Sequence, residues 1–406
     1  MSEYKVSVKE AMLSNLLSGG QEGLAELISD ILNQILEAQA EEQLGAGMYE
    51  RTENRTGYRN GYRLRQLYSR VGPLTLRVPQ FRDGSFSTEI FQRYQRSEQA
   101  LVLAMMEMVV QGVSTRKVAR ITEELCGTSF SKSTLSRLCM SLDARVRAWN
   151  ERPLDAFPFL LVDALYIKVR EDERIVTKAA LLVCGVNSEG YREILGLKLG
   201  DSESEAFWQE MFDWLKSRGL RDVAFVVSDE HKGLVKAISR VFQGVIWQRC
   251  QVHLMRNILG RTPARHRDEM ARALKRVFDS DSIGDAREKA RALMEQMEKK
   301  APRAIATLEA GLEDALMVMS LPEKYRRRLK STNMQERLIR EVRRRERVIQ
   351  IFPNEASAQR LIGAVLAEIH EQWLSRRYLD MDAFNEWWQQ QQEEASRQKK
   401  VIGLEH

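Results

Sequence analysis

Apolar residues recur at helical spacing over residues 8–46, where Leu24, Ile28, Ile31, Leu32, Ile35 and Leu36 form one stripe, so the pattern predicts one or two amphipathic helices. Such a stripe needs a partner, either the domain core or a second subunit. Over residues 55–92 the period shortens to alternation broken by turns, in RTGYRNGYRLRQL, VGPLTLRVPQF and GSFSTEIF. This predicts a small β-rich module whose interleaved basic and aromatic residues suit phosphate contact and base stacking. Helical spacing returns over residues 97–146. In GVSTRKVARITEELCGTSFSKSTLSRLCMSL, a helix capped at Ser114, a break at Gly127 and a second helix opened by Ser131 predict a helix-turn-helix, although an ordinary helical hairpin carries the same pattern.

Beyond a proline-bounded linker at 151–158 the chain changes character. FLLVDALYIKV, RIVTKAALLVCGVN and YREILGLKLG read as three hairpin-linked strands, and SESEAFWQEMFDWLKSRG follows as a helix with Ser202 as its N-cap. The buried strand VAFVVSD, the helix GLVKAISRVF and the short strand GVIWQ complete the run. The order strand, strand, strand, helix, strand, helix, strand matches an α/β core of the ribonuclease H-like (retroviral integrase-like) fold, in which the first and fourth strands are neighbours. Residues 262–330 are charged and helical throughout, broken at Pro263 and Pro302, and read as an all-α insertion. A helix from Asn333 to about Arg347 is ended by Phe352 and Pro353, and another covers 357–374. The expected organisation is therefore an N-terminal helical region (1–54), a β-rich module (55–96), a helix-turn-helix-like domain (97–150), the core in two parts (154–261 and 331–375) around the insertion (262–330), and a polar tail (376–406).

Composition adds a compartment and a class of partner. The chain has 406 residues, 43% of them hydrophobic, enough for a sizeable core in several domains. No apolar run approaches the roughly 20 residues of a membrane span, and the start lacks a secretory pattern, so a cytoplasmic, nucleoid-associated protein is expected. Cys126, Cys139, Cys184 and Cys250 are scattered, which fits a reducing compartment. The net charge is +6, but basic residues concentrate at 51–70, 326–330 and 337–347. Three such segments point to a polyanion, and nucleic acid is the commonest one. Position 61, Arg63 and Arg65 in the β module, Arg116, Lys117, Lys132, Ser133 and Arg137 in the helical pair, and Arg337, Arg340, Arg343, Arg344 and Arg347 on the late helix are the candidate DNA contacts.

Asp163 stands in an apolar strand, where an ionised carboxylate is costly unless paired or bound to metal. Asp229 ends another apolar strand, at the carboxyl edge where ligands bind open α/β sheets. If the strand order holds, the two are neighbours, and a divalent cation relieves their repulsion. Hard oxygen ligands select Mg2+ or Mn2+. Holding two ions about 4 Å apart takes a third carboxylate. Glu336, on a stripe with Arg340, Arg343 and Arg347, is the best placed, with Glu341 as its rival.

These residues carry a resemblance. VDALY, SDEHKGL, CQVH and STNMQERLIREVRRRERVIQIFPN, with RNGYR, VGPLTLRVPQFRDGSF and GVSTRKV earlier, together resemble the Mutator-type family of bacterial insertion-sequence transposases over about nine tenths of the chain. The resemblance implies that Asp163, Asp229 and Glu336 are an acidic catalytic triad binding two metal ions, with a helical insertion before the glutamate. It also implies a homodimer acting on double-stranded DNA, both terminal inverted repeats and target. Ile339 departs from the polar residue that relatives often carry there.

Cys250 and His253, in WQRCQVHLMRN, have the spacing of half a zinc site, but a structural zinc needs four ligands and no second pair is visible near the solitary His266. A nucleophilic Cys/His dyad has no supporting acyl-transfer feature. The resemblance makes them a family marker beside the second aspartate, together with Asn333; His253 is expected to act close to the carboxylates while Cys250 packs. Two rival functions stay open at this stage: a DNA-binding regulator with an inactive core, and a structure-acting nuclease.

Overall fold

A computed structural model describes residues 6–8, 10, 14, 20–50, 52–88, 90, 99–126 and 130–391. Arg51, the turn at Gly127, and the tail beyond 391 lie outside them. The chain divides into two compact units, Met1–Ser141 and Leu142–His406.

In the first unit, helix α1 (Gly20–Leu44) packs on a hairpin of β1 (Arg59–Ser69) and β2 (Gly72–Phe81). Burial alternates along β2, so Leu74, Leu76 and Val78 meet Leu36 of α1 while the intervening residues face water. Glu37 of α1 fastens the hairpin by pairing with Arg59 and accepting from the Tyr62 hydroxyl. The GSFSTEIF segment, read as part of the β-rich module, forms no strand over its described residues; its Phe86 packs edge-on against Phe81. Three helices follow: α2 (Gln99–Val110), α3 (Thr115–Cys126) and α4 (Lys132–Cys139). Ser131 caps α4 through Thr134 N, as its spacing predicts.

The second unit opens with α5 (Leu142–Asn150) and contains a five-stranded sheet. Its strands are β3 (Phe159–Glu171), β4 (Arg174–Val186), β5 (Arg192–Gly200), β6 (Phe225–Ser228) and β7 (Ile246–Arg249), in the order β5-β4-β3-β6-β7. The first three are antiparallel, and β6 and β7 add in parallel beside β3, so the first and fourth strands are indeed adjacent. Leu160, Val162, Leu181 and Val226 turn to one face, where α6 (Glu205–Ser217) and α7 (Lys232–Val241) cover them with Trp208, Phe212, Leu234 and Ile238. The cap of α6 is Ser204, which accepts from Phe207 N, and not Ser202. The loop after β5 is drawn out because Glu203 is held by Tyr166 and Trp208, which delays the helix by two residues.

After α8 (Gln251–Arg261) the chain is helical, with α9 (Arg267–Phe278), α10 (Ile283–Met297), α11 (Pro302–Leu316) and α12 (Glu323–Leu329) forming the insertion. Gln248 and Gln251 both donate to the Ala315 carbonyl at the end of α11, and Gln248 Oε1 accepts from Val318 N. Buried amides thus satisfy groups that a helix end leaves open. The chain then returns through α13 (Asn333–Ile349) and α14 (Glu355–Leu374).

The pairing of β4 with β5 skips Leu195, and side chains satisfy the groups this bulge frees. Arg152 donates to Ile194 O, Arg218 to Leu195 O, and Ile194 N donates to His370 Nδ1 at 3.3 Å. His370 must be neutral to accept, and burial, with Arg152 close by, pushes its pKa down to about 4. A depressed histidine stabilises the fold fully above its ordinary value near 6.5 and loses that stability as pH falls toward 4. We therefore expect the wild type to lose about 1–2 kcal/mol relative to His370→Gln, which accepts but cannot protonate, between pH 7 and pH 5 in urea titrations. Parallel stability curves for the two would discard this account.

Candidate active site

β6 pairs with β3 from Phe159↔Phe225 to Leu161↔Val227 and ends at Ser228, so continuing the register brings Asp163 level with Asp229. Strand alternation turns both away from the Val162 and Val226 core, toward α8 and α13. Further along, Phe352 bridges to β3 through Lys168 O and Arg170 N, leaving an opening in the ladder between the two partners. Arg343 of α13 reaches into that opening to donate to Tyr166 O at 2.6 Å.

Asp163 accepts from Ala164 N at 2.9 Å, and Asp229 accepts from His231 N at 3.2 Å. Burial pushes the Asp163 carboxyl up to about 7; Asp229 and Glu203 add to the rise, and His253 opposes it. The sequence reading missed Glu203. It accepts from the Tyr166 hydroxyl at 3.0 Å and from Trp208 Nε1 at 3.2 Å, its carboxyl is raised by burial, and His231 lies 3.5 Å away. Its only signal was a SESE run that looks like solvated loop.

His253, on the first turn of α8, places Nε2 3.6 Å from Glu336 Oε1, and Arg256 donates to the same oxygen at 3.0 Å. Its pKa is pushed up to about 9, first by Cys250, against burial, with Asp163 and Asp229 adding. Burial pushes the Cys250 thiol up, but hydrogen bonds from His253 and Thr332 outweigh it and leave the thiol below its ordinary range. Thr332 N and Oγ1 stand 3.4 and 3.5 Å from the sulfur, tying the end of β7 to the start of α13. Zinc is unsupported: Cys250 is engaged by Thr332, and among the described residues no three His, Cys, Asp or Glu side chains converge on one point. The three expected carboxylates likewise do not converge on one point. Asp163 and Asp229 feel each other, whereas Glu336 is turned to His253 and Arg256. Glu341 pairs instead with Arg344 and Arg345.

Asn333 is exposed at the start of α13. Arg337, Arg340, Arg344 and Arg347 are exposed on α13, while Arg343 is occupied by Tyr166 O and Glu346. In the first unit Arg63, Arg116, Lys117, Lys132, Ser133 and Arg137 are exposed and Arg65 is half-buried. Position 61 is Gly61, which has no side chain to offer a phosphate; Arg59, two residues earlier in β1, is already paired with Glu37. Among the described residues no helix is long and apolar enough to cross a membrane.

Asp163 and Asp229 thus stand level on adjoining strands of a mixed sheet, and the arginine-rich α13 packs against β3. The chain belongs to the Mutator family of transposases: the model of that family, described as "Transposase, Mutator family", matches residues 1–376. It is 47% identical over 324 residues to the transposase for insertion sequence element IS256 in transposon Tn4001 of Staphylococcus aureus, covering 78% of this chain and 83% of that one. It is 45% identical to the transposase for ISRM5 of Rhizobium meliloti (79% and 81% covered) and 39% identical to that for IS1081 of Mycobacterium tuberculosis (79% and 78%).

Proposed function

We propose that this transposase binds the terminal inverted repeats of its own insertion sequence as at least a homodimer and cuts and rejoins them by Mg2+-dependent in-line phosphoryl transfer. The observation that carries the reading is the placement of Asp163 level with Asp229 on adjoining strands, where burial raises the Asp163 carboxyl. The strand order, with its helical insertion, supports a ribonuclease H-like core.

The donor set fits a hard cation, since Asp163 within β3 and Asp229 just past the end of β6 offer carboxylate oxygens from a rigid sheet. Asp163, Asp229 and Glu336 would hold two ions, which when bound supply Lewis-acid activation of the attacking oxygen and charge relief at the leaving one. Arg256 and His253 hold Glu336 by its Oε1, and binding of a cation by that carboxylate would compete with them. His253, charged between the aspartates and Glu336, offers a donor to a scissile phosphate once Glu336 departs. Arg337, Arg340, Arg344 and Arg347 present guanidiniums for the backbone on either side, and α3 with α4 and the hairpin recognise the ends.

Incubation with Mg2+ and labelled terminal-repeat duplex is expected to release a 3′-hydroxyl end and then a joined product. Cleavage without joining would make the protein a nuclease, and binding without cleavage a regulator.

A further inference from the structure

A second cationic pocket, of about 580 Å3, opens where β7, α8 and α11 meet. Arg249, the last residue of β7, is only 2% exposed. Its Nη2 pairs with Glu230, but its Nη1 is buried with no hydrogen-bond partner among the described residues. The guanidinium lies against Gly311 of α11, where a Cβ would stand 2.3 Å from Nη1 and 2.9 Å from Cζ. Only glycine leaves room for it. Toward the pocket α11 presents Arg303, Ala306, Thr307 and Ala310, one helical stripe with a floor of small residues between two polar ones. Arg261, at the end of α8, donates to Thr307 Oγ1, and Arg303 is exposed.

Three guanidiniums therefore face one space that a single carboxylate, Glu230, enters; Asp314 also feels Arg249 but does not line it. A buried guanidinium nitrogen without an acceptor is costly, and an ion pair with Glu230 alone leaves that cost in place. A tetrahedral oxyanion fits: it brings several acceptors, and it carries the charge that arginine forks match. We infer that this pocket holds a phosphate group of the DNA backbone. Glu230 follows Asp229 directly and Arg249 precedes Cys250, so the pocket adjoins the carboxylate centre, and the phosphate it takes is one flanking the bond that is cut. The choice of DNA as the source rests on the function proposed above; free phosphate has the same chemistry.

The test uses the full chain and the double variant Arg261→Gln, Arg303→Gln, both exposed positions that leave the ion pair of buried Arg249 with Glu230 intact. Binding of terminal-repeat duplex is followed by fluorescence anisotropy from 50 to 300 mM salt. The variant is expected to bind about tenfold more weakly at low salt, with the slope of log affinity against log salt reduced by about one, the value for one lost phosphate contact. Arg272→Gln with Arg291→Gln, two exposed arginines elsewhere on the insertion, should change the slope less. In parallel, inorganic phosphate at matched ionic strength should raise the melting temperature of the wild type and not of the double variant. An unchanged slope and affinity in the double variant, or an equal loss in the control pair, overturns the DNA assignment; with phosphate protection retained, the pocket would be one for free phosphate. Failure of the wild type to bind terminal-repeat DNA refutes the proposed function, and the phosphate comparison then decides the pocket alone, absence of protection refuting it.

Discussion

Asp163→Asn is expected to abolish DNA cleavage, by a factor of at least about 10³, while terminal-repeat affinity stays within about twofold. Asparagine keeps the volume and the hydrogen bond from Ala164 N, but removes the charge that a divalent ion requires. Ordinarily a substitution at a strand in the core destabilises. Here the carboxylate is itself unfavourable without a cation, because burial already pushes it up to about 7. Melting in metal-free buffer should therefore be unchanged or raised in the variant. Adding Mg2+ should raise the melting temperature of the wild type and leave that of Asp163→Asn where it was. Cleavage surviving in the variant, or an equal response of both proteins to Mg2+, would remove Asp163 from the metal site.

Gln335→Leu is expected to lower cleavage about a hundredfold and to destabilise the protein by about 2–4 kcal/mol. Gln335 is fully buried, and its Nε2 donates to Leu161 O at 2.7 Å and to Leu182 O at 3.0 Å. Those carbonyls belong to β3 and β4 beside Asp163, so one amide fixes α13 against the strand that carries the first aspartate. Leucine fills the space but removes the donation to both buried carbonyls. Glu336 is the next residue, and its approach to the aspartates depends on that seating. Denaturant midpoints measure the destabilisation, and single-turnover cleavage at a temperature where both proteins are folded measures the loss of activity. A Gln335→Leu protein that is less stable yet cleaves at full rate would show that the bond holds the fold and does not position Glu336.

Much of this was readable because the sheet is strongly patterned. Asp163 and Asp229 stood out as carboxylates inside apolar runs, and the order of strands and helices matched a fold in which β3 and β6 are neighbours. Local caps were readable where the capping contact is local, as at Ser131, and misplaced where a distant side chain intervened, as at Ser202, two residues before the true cap. Glu203, Gln335 and Arg249 carry no such mark. Each owes its role to partners far away in the chain: Glu203 to Tyr166, Gln335 to Leu161 and Leu182, and Arg249 to the bare backbone of Gly311. A polar residue beside other polar residues looks solvated until the fold buries it.

The two glutamines that share the Ala315 carbonyl make the insertion inseparable from the sheet. Excising residues 262–330 to obtain a minimal catalytic fragment would strip Gln248 and Gln251 of their acceptor and uncover Arg249, all within five residues of His253. The helical segment is thus not an accessory that can be trimmed away; its loss would be felt as misfolding of the centre itself.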